Sequence, residues 1–406
     1  MENLNSVCFV NKINKIEKIE GADKIELVTI NGWTSVVQKG IHKVGDLVLC
    51  ITTDAVIPEY LATKWGVISY LRNKSRVRTV KLRGVYSECI LIPLKDLIGI
   101  SIDTLKVGTD MMGAFHIFKY EPPSREVLIT PVKRVYFKWD KIYSFKMWKS
   151  FINYKIHKIK NSFKKYYKDN TYFEKYYKFP NQKNTPYMFN EKDTVVITRK
   201  IHGTNARYGI VKKTKLSIID IIKKLFWNKW IEYEYVYGSH NVEKGSDSQG
   251  FYSTDVWSAI NKKYNIETKL WEYVKRNFTP NNFGLGLVLY GEIFGEGVQK
   301  NYDYGLKEHS LESFDIQFDG KYVSDNDFNI INDDLKICDS VEYLYLGKWG
   351  KEIQDKLVFN NYIDGTKIPH EGIVVKCITG NRAKISKVIN PEYLTYGEKN
   401  GTTDSH

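Results

Sequence analysis

The chain has 406 residues, 42% of them hydrophobic and 27% charged, with 61 Lys and Arg against 47 Asp and Glu. That length and apolar content support two or three folded domains and exclude a disordered chain, and no apolar run reaches the ~18 residues of a membrane span. The formal charge of +14 points toward a polyanionic partner.

The amino terminus, MENLNSVCFVNKINKIEK, lacks a basic region followed by an apolar core and a small-residue cleavage site, so a soluble cytoplasmic protein is expected. Residues 1–115 alternate short β-type runs with Gly and Asn: SVCFVNKI, KIELVTI, TSVVQKG, LVLCITT, RVRTVKL and SECILIPL. Such spacing predicts a small barrel or sandwich. Within it, residues 18–60, with GADKIELVTINGW and KVGDLV, resemble the OB-type modules that bind tRNA and other nucleic acids. A barrel that only docks on a neighbouring domain carries the same pattern.

Residues 116–190 are crowded with Lys and Tyr. Phe145, Trp148, Phe151, Ile152, Ile156 and Ile159 recur at helical spacing, which predicts one basic amphipathic helix. Its lysines and rings suit an RNA strand, and equally a helix that packs its aromatic side on a neighbour. Further on, DTVVIT (193–198) and ARYGIV (206–211) read as strands around a turn, with Lys200 at the strand end. KLSIIDIIKKLFWNKW (215–230) reads as a helix laid on the sheet. VLYGEIFGEGVQKNYDYG (288–305) reads as a strand and glycine-rich loop presenting Glu292, and SFDIQFDGKYVS (313–324) as a hairpin presenting Phe314 and Asp315. HEGIVVKC (370–377) places Glu371 at the mouth of an apolar strand, with Lys376 deeper in the sheet. A lysine there is costly to bury without an anion, and a phosphate would serve.

The five cysteines, Cys8, Cys50, Cys89, Cys338 and Cys377, form no CxxC pair, so neither a zinc site nor a disulfide framework is expected. GxxxxGK[ST], GxGxxG and HExxH are also missing, so a nucleotide would need another geometry. The motifs that remain run K-x-x-G-T-N, G-E-x-x-G, F-D-I, E-G-x-V-x-K and K-x-x-K. This order resembles the covalent nucleotidyltransferase superfamily of polynucleotide ligases and mRNA capping enzymes, and within it the ATP-dependent RNA ligases. KIHGTN and GEIFGEGVQKNYDYG look like the T4 RNA ligase 2 group, whereas the amino-terminal module is similar to that of the Naegleria and Deinococcus branch. The resemblance covers residues 5–100 and 191–395.

That resemblance implies an α+β chain: an OB-type β-barrel at 1–115 that binds nucleic acid, a basic aromatic-rich insert at 116–190, and a tail at 399–406. Between insert and tail, residues 191–398 would form an adenylyltransferase domain, of the nucleotidyltransferase (ATP-grasp-like) kind, with antiparallel sheets and flanking helices. ATP and Mg²⁺ or Mn²⁺ are the implied cofactors. Lys200 would be the nucleophile; its amine must first be neutral, which at pH 7 costs about 4.6 kcal/mol from an ordinary pKa, and a nearby cation lowers that cost. Glu292 and Glu371 would hold the ribose or the metal's water shell, and Phe314 would stack on adenine. Thr198 and Asn205 would complete the ATP site. Lys376 and Lys387 would neutralise the α-phosphate, with Lys384 an alternative because KISK differs from the usual K-x-K. Asn205, Arg207 and His240 would meet the RNA 5′-phosphate. Two departures stand out: His202 replaces an acid common in the OB-containing branch, and His240 stands where an arginine is usual.

The expected activity is an ATP-dependent RNA ligase that joins 3′-hydroxyl and 5′-phosphate ends at nicks or breaks, through a lysyl-AMP and an adenylylated RNA, as a monomer. Alternatives are a DNA ligase or guanylyltransferase of the same superfamily, and a non-catalytic RNA- or tRNA-binding protein with a degenerate transferase domain.

Overall fold

A computed structural model describes residues 6–73, 75–97, 99–120, 170–214, 230–240, 243–244, 255–378 and 384–401. The helices expected from Phe145–Ile159 and Leu216–Phe226 lie outside these residues. Among the described residues, no helix is long and apolar enough to cross a membrane.

The first unit is a closed barrel. Strands β1 (Cys8–Lys12), β2 (Lys15–Lys18), β3 (Ile25–Ile30), β4 (Trp33–Gln38) and β5 (Leu47–Thr52) follow the sequence-predicted runs. After β6 (Ala55–Val56), helix α1 (Glu59–Lys64) and the hairpin β7 (Val80–Leu82) and β8 (Val85–Ser87), the chain closes with β9 (Cys89–Pro93). Sheets β1-β5-β9 and β2-β3-β4 meet where Ser35 Oγ donates to the Cys89 carbonyl at 2.7 Å and Glu88 N–H to the Thr34 carbonyl at 2.7 Å. Alternation along the strands sends Val28, Ile30, Val48 and Cys50 into one core between the sheets, and Val10, Leu49 and Ile51 to the opposite face of β1-β5-β9, against Leu61 of α1. Beyond α2 (Met112–Phe115), β10 (Phe118–Lys119) returns to pair with β6.

The second unit has two antiparallel sheets. Its strands are β11 (Thr194–Lys200), β12 (Thr204–Lys212), β13 (Tyr233–Gly238), β14 (Glu243–Lys244), β15 (Gly286–Phe294), β16 (Ser310–Phe318), β17 (Lys321–Tyr322), β18 (Tyr343–Lys348), β19 (Gly372–Cys377) and β20 (Ile385–Ile389). They order as β14-β13-β12-β15-β16-β17 and β18-β11-β19-β20. Helices α3 (Val256–Tyr264), α4 (Ile266–Asn277) and α5 (Asp325–Leu335) bury the outer face of the six-stranded sheet through Ile260, Leu270, Val274 and Phe328. The outer face of the four-stranded sheet closes over Val195, Ile197, Ile373 and Val375, with Val358 from α6 (Lys351–Val358). Helix α7 (Pro391–Asn400), capped by the Asn390 side chain, ends the described chain. The inner faces of the two sheets bound a cleft.

Residues 170–190 pack on this second unit. Tyr176 and Phe173 enter a cluster with Val288 and Tyr290, and Lys387 N–H donates to the Pro180 carbonyl at 3.0 Å. The same segment touches the barrel: Trp33 Nε1 donates to Asn184 Oδ1 at 3.1 Å, and Lys183 pairs with Glu88.

Candidate active site

Along β11, Val195 and Ile197 point into the core, so Thr198 and Lys200 face the cleft. Lys200 ends the strand, and its Nζ lies 2.7 Å from Glu371 Oε1. Glu371 is fully buried one residue before β19. The following Gly372 presses on β20, where an added Cβ would stand 2.1 Å from the Val388 carbonyl oxygen. Position and turn together take Glu371 out of the strand's alternation and onto the lysine. On the other side, Gly203 brings the β11–β12 turn against β15; a Cβ there would meet the Ile293 carbonyl oxygen at 2.2 Å. That approach puts Glu292, opposite Asn205 in the β12–β15 register, beside the same lysine.

Burial pushes the Glu292 carboxyl up to about 8; Lys200 pulls it down and Glu371 raises it further. Lys387 projects from β20 into this corner. Burial first, then the charge of Lys200, pushes its ammonium down to about 8, with Glu371 opposing. Two barrel residues, Lys119 and Asp54, also act on Lys387. His202 is buried, its backbone N–H donating to Tyr304 Oη at 2.6 Å and its ring edge-on to Tyr302 and Tyr393. Burial pushes its imidazole down to about 4, so it is neutral at pH 7. Its Nδ1 lies 3.9 Å from Glu371 Oε2, and its Nε2 is buried without a hydrogen-bond partner among the described residues.

A bulge shapes the neighbouring wall. The β15–β16 register shifts between Tyr290 and Gly291, from Asp315 to Ser313, so Phe314 is the unpaired residue. Its ring is half-buried and meets Tyr176 edge-on at 4.9 Å. Its carbonyl accepts from Lys376 Nζ at 2.9 Å.

Three expected residues are placed differently. Lys376 shares the cleft face with Lys200 but stands opposite Val196, four residues along β11 and roughly 13 Å away. The anions that meet it are Asp315 at 3.7 Å and Asp325 at 3.9 Å, carboxylates of the protein where a phosphate was expected. Lys384 precedes β20 at the end of the sheet remote from Lys200, and its Nζ holds both oxygens of Asp193 at 2.9 Å. Arg207 is buried, donating to the carbonyls of Ser239 at 2.9 Å and Phe173 at 2.7 Å with its guanidinium over the Phe173 ring. His240 is close enough to Lys178, Arg207 and Lys175 for their charges, after burial, to hold its imidazole below the ordinary range.

Asn205 retains a buried amide oxygen without a hydrogen-bond partner among the described residues. Together with His202 Nε2, this leaves polar atoms in the corner for a polar ligand. Glu292 and Glu371 are the carboxylates that could hold a divalent cation there. Such a cation would complete its shell with water and phosphate oxygens, and the donor set suits Mg²⁺ or Mn²⁺.

Sequence reading missed Tyr176, whose hydroxyl donates to Asp315 Oδ2 at 2.9 Å, and the barrel's Lys119 and Asp54. The YYKF run was visible as an aromatic signal. Its place behind Phe314 is a long-range contact that no local period encodes.

Residues 7–94 match a family model described as an OB-fold domain, and residues 193–389 match one described as RNA ligase. No curated protein matches the chain in sequence. Among solved structures, the chain is similar to Naegleria gruberi RNA ligase. A lysine-to-alanine variant of that enzyme with ATP and Mn aligns at 18% identity and TM-score 0.65 over 97% of this chain and 99% of that one. A lysine-to-methionine variant with AMP and Mn gives the same values, and the form with pyrophosphate gives a TM-score of 0.64. The likeness is one of fold, and it spans both units.

Proposed function

We propose, on the premise that residues 193–389 are an RNA ligase domain, that the chain is an ATP-dependent RNA ligase joining a 3′-hydroxyl to a 5′-phosphate at RNA nicks or breaks. The observation that carries this reading is the corner in which the buried Glu371 meets the half-buried Lys200, Glu292 and Lys387. In the first step Lys200 Nζ, having lost its proton, bonds to the α-phosphorus of ATP; the bond to the β-phosphate oxygen breaks and pyrophosphate leaves. In the second, an oxygen of the RNA 5′-phosphate takes the AMP from Lys200, which keeps the amine. In the third, the RNA 3′-hydroxyl attacks that 5′-phosphate, loses its proton and releases AMP.

Lys387 supplies positive charge where the transferring phosphate becomes more negative, in a buried setting where that charge counts most. Glu371 orients the Lys200 amine through its 2.7 Å contact. A divalent cation at Glu292 and Glu371 would supply charge that disfavours the lysine ammonium and shields the triphosphate. Phe314, backed by Tyr176, offers the flat face for adenine. Asn205 and His240 would meet the 5′-phosphate, and Arg207 would act behind them by donating to the Ser239 carbonyl next to His240.

The test is incubation with α-labelled ATP and Mg²⁺, then denaturing electrophoresis, comparing wild type with Lys200→Ala. Label on the wild type alone is expected, with ATP preferred over GTP. RNA sealing that survives Lys200→Ala would sink the proposal. Pre-treatment with pyrophosphate strips AMP already bound and makes an unlabelled wild type interpretable.

A further inference from the structure

The β11–β19 ladder ends at the Lys200–Gly372 pair, and beyond it the chain on either side leaves the sheet. Two hydroxyls from the loop after β15 span the gap. The backbone N–H of His202, two residues past Lys200, donates to Tyr304 Oη at 2.6 Å. Tyr302 Oη donates at 2.8 Å to the carbonyl of Pro369, two residues before Glu371, and it also hydrogen-bonds to Tyr304. A phenol has one proton to give, and that of Tyr302 goes to Pro369, so Tyr304 is the donor between them. The relay therefore runs one way, from His202 through Tyr304 and Tyr302 to Pro369, with each hydroxyl both accepting and donating.

The surroundings fix this relay in place. Tyr304 has a φ of +59°, a left-handed backbone that bulky side chains rarely adopt, so the packing around it must hold it there. Its ring stands edge-on to Phe294 at 5.0 Å and to Tyr302 at 4.9 Å, and joins the cluster containing Ile201 to the one containing Tyr393. The same loop grips the turn a second time, through Gln299 Nε2 donating to the Gly203 carbonyl. We propose that Tyr304 and Tyr302 are positioning residues for AMP transfer to Lys200: their relay fixes the turn after the lysine against the segment leading into Glu371, and so keeps the amine on its carboxylate. The step they serve rests on the ligase reading above. Because both act through Lys200 and Glu371, their loss should appear in the rate of transfer and not in the affinity for ATP.

The experiment follows single-turnover labelling of the full chain across concentrations of α-labelled ATP, beside hydrogen exchange over residues 200–203 read by mass spectrometry without ATP. Tyr304→Phe keeps the ring and removes the hydroxyl. It should lower the maximal rate about tenfold or more, leave the ATP concentration for half-maximal rate within about twofold of wild type, and speed exchange over 200–203. Tyr302→Phe cuts the relay at its other end. It and the double variant should reach about the same slow rate as Tyr304→Phe, because hydroxyls acting in series are lost together. Tyr233→Phe is the control: its hydroxyl donates to the Pro280 and Gly284 carbonyls at the far end of β12, so it should lower the melting temperature and leave labelling unchanged. A Tyr304→Phe protein that melts lower but labels at the wild-type maximal rate would overturn the proposal. So would weaker use of ATP at an unchanged maximal rate, or unchanged exchange over 200–203. Should Tyr304→Phe not fold, the maximal rate of Tyr302→Phe decides. If the wild type itself fails to label after pyrophosphate treatment, the ligase reading fails, while the exchange measurement still judges the relay.

Discussion

Glu292 holds its proton near neutral pH because burial beside Glu371 outweighs the pull of Lys200. The unfolded chain loses that proton near the ordinary 4.5, and the folded one near 8. Between those values the folded state binds more protons, so this residue's contribution to stability declines as pH rises. Glu292→Gln should therefore flatten the fall of thermal stability across that window, as a melting series would register. Binding of Mg²⁺ or Mn²⁺ to the wild type at pH 7 should release close to one proton, detectable by calorimetry in buffers of different ionisation enthalpy, and the variant should release none. At Lys376 the measurement separates two roles. If Asp315 and Asp325 are its partners, Lys376→Met takes the cation from the buried Asp315 and the partly buried Asp325, leaving Asp315 only its neutral donors, and should cost about 3 kcal/mol in denaturant unfolding. A lysine held for a phosphate alone would leave stability intact and lower only the labelling rate.

At the scale of elements, the β11–β12 turn depends on the bare backbone of Gly203. Gly203→Ala forces β12 away from β15, since its Cβ would overlap the Ile293 carbonyl. It should lower the melting temperature and slow single-turnover labelling at least tenfold, because the turn that follows Lys200 is pushed off β15, the strand that carries Glu292. Gly113→Ala, where a Cβ meets nothing within 4 Å, is the control and should change neither. This turn also marks where sequence patterning suffices and where it stops. The β-branched run before Lys200 fixes the strand, and period two puts Thr198 and Lys200 on one face. Glu371 escapes that period because it precedes the strand at Gly372, and Phe314 escapes it because a bulge adds one residue to β16. KISK could not decide between Lys384 and Lys387, since both lie on or beside β20. The register separates them in space, with Lys387 opposite Val374 and Lys384 at the far end with Asp193.

Across the whole molecule, the segment between barrel and transferase couples the two units. Lys183 pairs with a Glu88 that is 4% exposed, its ammonium lies 5.3 Å from the Trp33 ring, and Gly32 leaves room for its backbone. Three residues before Lys183, Pro180 accepts the backbone hydrogen bond of Lys387. The docking that brings Lys119 and Asp54 to the catalytic corner therefore runs through the strand that carries Lys387. Lys183→Met keeps the aliphatic stem against Trp33 but leaves Glu88 buried without its cation, a loss of about 3 kcal/mol at a site this enclosed. Each unit has its own core, so the loss should appear as separation and not as global unfolding. The expected results are a larger radius of gyration in solution scattering, a red shift in Trp33 emission, and labelling slowed at least tenfold. The contacts of Arg72 and Arg78 with Glu398 leave both guanidiniums about a third open to water and are worth less, so Glu398→Ala should shift stability by about 1 kcal/mol and leave labelling near wild type. Full labelling by a Lys183→Met protein whose units have separated would mean that Lys387 works without the barrel, and that the charges of Lys119 and Asp54 have no part in the first step.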